Sequence, residues 1–110
     1  MSEAEEARFA ELENLAAEFA TAQAQAEFLG EFKKSKLAML MKEAEVAGVG
    51  SAALQEREAR RHDDYVAMLK GLQVATEVAL AKKWSLEIAK MRFEWARTKA
   101  ANRRAEMNLR

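Results

Sequence analysis

The chain has 110 residues and a mass of 12.4 kDa, half of it apolar by count, with 18 acids balanced by 18 bases. That length holds one domain at most, and the lack of cysteine excludes disulfides, thiol catalysis and thiolate metal sites. Proline is absent, glycines number four, Val and Ile are few, and Ala, Glu, Lys, Arg, Leu and Met dominate, so the expected fold class is all-α rather than a sheet.

The first helix is predicted over about residues 3–47. Its opening segment, residues 1–8, is acidic and polar and does not read as a signal peptide. No apolar run in the chain approaches the roughly 18 residues of a membrane span, so a cytoplasmic protein with no membrane partner is expected. The main apolar stripe is Leu12, Leu15, Phe19, Ala22 and Ala26, then Leu37, Leu40 and Ala44. Gly30 interrupts it, and Lys33 and Lys36 fall where it would continue, which predicts a kink or local looseness near 30–36. Phe28, Phe32, Met39 and Val46 lie on the opposite side as a second stripe.

The segment 48–50 is the clearest break. Gly48 suits the left-handed residue after a helix end, and Ser51 suits the N-cap of the next helix. That short helix is predicted over about 51–61. His62, Asp63 and Asp64 form a second boundary, where acids favour a new helix start.

The last helix is predicted over about 64–107. One stripe recurs every seven residues: Tyr65, Leu72, Ala79, Leu86, Phe93, Ala100 and Met107. A second comprises Leu80, Trp84, Ile88, Met91 and Trp95, and at about 100° per residue it falls nearly opposite the first. A helix apolar on two faces needs two partners. One is the other long helix, in an antiparallel hairpin with the short helix in the connection. The other is expected to be a second chain, which gives a homo-oligomer with a dimer favoured, as a four-helix bundle or a coiled-coil-like assembly.

Charge is unevenly placed. Residues 1–31 hold eight acids and one base, whereas residues 82–110 hold nine bases and three acids. In a hairpin these ends lie side by side, so mutual neutralisation is the plain reading. The alternative is a nucleic-acid-binding module, in which Lys83, Lys90, Arg92, Arg97, Lys99, Arg103, Arg104 and the final Arg110 contact phosphates while Trp84 and Trp95 stack bases. Against it, Ile88 and Met91 sit between the tryptophans, and Glu87, Glu94 and Glu106 interrupt the basic surface. The first-helix acids Glu3, Glu5, Glu6, Glu11, Glu13 and Glu18 could imitate DNA phosphates, but they also suit a helix N-terminus. Lys83/Glu87 and Lys90/Glu94 are spaced to pair along a solvent-facing strip.

No catalytic constellation is present. His62 is the single histidine, and with Glu58, Asp63 and Asp64 it reads as a capping cluster rather than a metal site. No glycine-rich phosphate loop and no Glu-x-x-His pair occurs. Neither metal nor cofactor is expected, nor an enzymatic activity.

The run Phe93-Glu94-Trp95-Ala96-Arg97-Thr98, continued by Ala101-Asn102-Arg103-Arg104-Ala105-Glu106-Met107, resembles the C-terminal signature of small helical proteins of tailed phages and prophages. Gln55-Glu56-Arg57-Glu58-Ala59 and Lys34-Ser35-Lys36 are similar to their middle segment. The resemblance covers about residues 12–108. It implies a bacterial host cytoplasm and a setting near recombination or replication genes, and it carries no site residue. The combined expectation is a non-enzymatic accessory protein that acts by protein–protein binding on a recombination or replication factor, or on a host nuclease or defence complex. Trp84, Ile88, Met91, Phe93 and Trp95 are the candidate partner-binding residues.

Overall fold

The computed structural model describes residues 2–109. It is all-α in the expected hairpin order: α1 (Glu3–Val46), α2 (Ala52–Arg61) and α3 (Asp63–Asn108).

Each boundary has a local chemical cause. Ser2 caps α1, its hydroxyl accepting from the Glu5 amide at 3.2 Å. At the far end, Gly48 takes φ 100°, its amide donates to the Glu45 carbonyl, and the Val49 amide donates to Ala44. These two bonds satisfy carbonyls that a helix end would leave free. Gln55 adds a lock, donating its side-chain amide to the Val49 carbonyl at 2.9 Å. Ser51 caps α2 by accepting from the Leu54 amide. His62 then serves both neighbours: its amide closes α2 on Ala59, and its Nδ1 accepts from the Asp64 amide at 3.0 Å, opening α3. The expected capping role at this boundary therefore belongs chiefly to His62 rather than to the aspartates.

The chain forms two compact units. In the first, α1 up to Ala20 packs on α3 from Leu80 onward. Phe9 meets Phe93 with ring centroids 4.6 Å apart, and Glu18 meets Lys82 at 3.2 Å, so the two helices run antiparallel. In the second, residues 21–79, Leu40, Ala59 and Tyr65 form a buried cluster with Leu37 and Met41 packed against it. Ala59 carries α2 into that cluster because its methyl permits close approach.

The inward positions follow a three–four alternation. On α3 they are Tyr65, Met68, Leu72, Ala75, Ala79, Lys82, Leu86, Ala89, Phe93 and Ala96, all buried or half-buried. This is the heptad pattern that packs helices side by side. The expected seven-residue stripe holds through Phe93, but Ala100 and Met107 are exposed. Phe93 already stands against Phe9, so seven residues further on α3 is level with the first described residues of α1.

The anticipated break near 30–36 does not occur: α1 is helical throughout. Lys33 and Lys36 occupy inward positions and are half-buried, and the Lys36 ammonium reaches the Asp64 carboxylate at 3.9 Å. A lysine stem can cover apolar surface while its charge stays at the edge. A Cβ at Gly30 or Gly71 would meet nothing within 4 Å. Gly30→Ala and Gly71→Ala are therefore each expected to stabilise the chain by about 0.5–1 kcal/mol, through a less disordered unfolded state. Gly48→Ala, at positive φ, is expected to destabilise it by about 1 kcal/mol; urea titrations measure all three.

Candidate interaction surface

Opposite its inward stripe, α3 presents Leu80, Trp84, Ile88, Met91 and Trp95, each between 44% and 65% exposed. Helical spacing places all five within a strip about 80° wide. They lie in one unit, on one continuous helix. Phe28, Phe32, Met39 and Val46 are likewise exposed on α1 in the second unit, with Phe28 and Phe32 stacked at 5.8 Å. Apolar residues on opposite faces cancel, so neither long helix has a net apolar side, whereas α2 is strongly one-sided.

Phe93 separates from the other four candidates. It is 8% exposed and packs on Phe9, so it belongs to the intramolecular seam and not to a contact surface. The reason is rotational: two residues from Trp95, it points some 200° away.

The bases do not share a face. Lys83 and Lys90 flank the tryptophan strip on one side, and Arg92, Lys99 and Arg103 on the other. Arg97 and Arg104 turn toward the seam. The Arg97 guanidinium sits 5.9 Å over the Phe93 ring, and with Arg104 and Glu5 it lines a groove beside α1. Arg8, Glu11 and Arg92 line another groove with Ile88. Acid and base thus meet across the helices of this unit, as neutralisation requires, with Lys82–Glu18 as a direct pair. Lys99 stands 6.0 Å over the Trp95 ring, at the limit of a cation–π contact. Arg110 lies outside the described residues.

The anticipated i,i+4 pairs are replaced by a shorter one. Lys90 pairs with Glu87 at 3.3 Å, while Glu94 and Lys83 have no ion-pair partner among the described residues. On α2, Glu56 accepts from Arg60 at two nitrogens and raises the guanidinium above its ordinary pKa.

Sequence patterning misses Phe9, the seam partner of Phe93, because α1 carries its other large apolar residues in register from Leu12. Its ring is one position off that register, and nothing short of the cross-helix pairing reveals it. Among the described residues no cluster of His, Cys, Asp and Glu could hold a metal, and no helix is long and apolar enough to cross a membrane. No family model, curated protein or solved structure matches this chain.

Proposed function

We propose that this protein is a non-enzymatic interaction protein whose working surface is the outer face of α3, formed by Trp84, Ile88, Met91 and Trp95, and that it acts as a helical homo-oligomer. The observation that carries the proposal is two tryptophans and two aliphatics exposed together on a well-formed helix. Such anchors are what protein interfaces concentrate, and burying them is strongly favourable. The resemblance to tailed-phage proteins directs the search for a further partner to recombination and replication factors and to host nuclease or defence complexes.

Intrinsic fluorescence tests the proposal simply, because the only two tryptophans both lie on this face. Their emission is expected to shift to the blue as protein concentration rises, and further when a partner is added. Emission that stays that of a solvated indole under both conditions would overturn it. Salt-dependent binding of DNA or RNA carrying the same shift would instead favour the nucleic-acid reading.

A further inference from the structure

We infer that the occupant of the α3 outer face is a second copy of the same face, with the two α3 helices parallel and in register; this rests on the proposed role of that face in self-association. The outer face has its own heptad frame. Taking Trp84 as position d, the central positions run Ala81, Trp84, Ile88, Met91, Trp95, Thr98 and Asn102, spaced by threes and fours. In this frame Phe93 and Leu86 occupy position f, the side that faces α1, so both seams coexist on one helix without sharing a residue.

The flanks set the direction. Glu87 and Glu94 occupy the two g positions beside the tryptophans, and Arg92 and Lys99 the corresponding e positions. Parallel helices bring each g residue to the e residue five places along the partner. Glu87 then meets Arg92 of the second copy and Glu94 meets its Lys99, and the two-fold axis repeats both pairs. Antiparallel helices would bring g against g and e against e, acid on acid and base on base.

Two independent features agree. Asn102 falls at position a, where an asparagine paired with itself across a parallel interface fixes register and two-strand association. Ile88, β-branched, is also at a, the choice that favours two strands. The charges are available as well. Among the described residues Arg92, Glu94 and Lys99 have no ion-pair partner, and Glu87 has only its exposed contact with Lys90, which is weak and exchangeable. The groove beside Arg92 holds two bases, Arg8 and Arg92, against one acid, Glu11, so a carboxylate arriving from a second copy meets net positive charge.

Because the chain has no cysteine, single cysteines report the geometry directly. In the parallel register Thr98→Cys faces its own counterpart, and oxidation is expected to yield a Thr98→Cys homodimer. An equimolar mixture of Thr98→Cys with Ala81→Cys is then expected to give no mixed disulfide. An antiparallel pairing centred between Ile88 and Met91 would produce the mixed disulfide and no homodimer. That result overturns the inference while leaving the interaction role of the face intact. Charge reversal supplies a second arm. Glu87→Arg with Glu94→Lys, and Arg92→Glu with Lys99→Glu, are each expected to self-associate about tenfold more weakly, and their mixture to recover wild-type affinity. No recovery on mixing, or absence of any self-association by the wild type, overturns the inference. A shift of tryptophan emission on adding a different protein would still uphold the role of the surface in the latter case.

Discussion

Trp95→Ala is expected to leave the folded chain nearly as stable as before and to weaken association by about 2 kcal/mol or more, roughly thirtyfold. The two halves of that expectation come from one observation. The Trp95 side chain is 65% exposed, so within a single chain it has little burial to lose. In an assembly it becomes a central anchor between Met91 and Thr98, where a large flat side chain removed from water contributes most. Trp84→Ala should act alike, and the double variant should approach a permanent monomer. Thermal melts must be compared at concentrations low enough for the wild type to be dissociated, since assembly raises apparent stability by mass action. A Trp95→Ala chain that unfolds when dilute, or that associates as the wild type does, contradicts this assignment of the face.

Phe93→Ala, two residues away, should behave in the opposite manner. Phe93 is among the few buried side chains of the chain and the only buried aromatic among the described residues of its unit, held against Phe9 at 4.6 Å. Truncating a buried phenylalanine costs about 3–5 kcal/mol. Domains of this size hold about 5–15 kcal/mol in all, so the variant should unfold well below the wild-type temperature, losing helical ellipticity from α3 and from the first turns of α1 together. Far-ultraviolet circular dichroism against urea measures it. A loss under about 1 kcal/mol, far below the usual cost of such a truncation, would show that the Phe9–Phe93 contact does not hold this end of the seam. The contrast between the two substitutions is diagnostic in itself, because the residues match in type and differ only in the side of the helix they occupy.

The two-faced character of α3 is legible in the sequence because its large apolar residues repeat on fixed spacings, and spacing on a helix is direction. The boundaries at Gly48, Ser51 and His62 are legible because each uses a residue whose conformational or hydrogen-bonding preference is strong. Part of each inner stripe is not legible. Ala75, Ala89 and Ala96 give no apolar signal above a background rich in alanine, and Lys33, Lys36 and Lys82 occupy inward positions that a hydropathy pattern assigns to solvent. Lys36 also explains why the anticipated kink is absent: its stem fills the seam and its charge finds Asp64, so the interruption in hydropathy is no interruption in packing. Aromatic type groups Phe93 with the contact residues, whereas its heptad position assigns it to the inner stripe, and position is the better guide.

Sedimentation equilibrium over a wide range of concentration, on the wild type and on the Trp84→Ala/Trp95→Ala chain, tests the central claim most directly. The wild-type mass is expected to rise from 12.4 kDa toward twice that value, while the double variant stays at 12.4 kDa throughout. A wild type that remains at 12.4 kDa at every concentration, or a double variant that assembles as readily as the wild type, would contradict it.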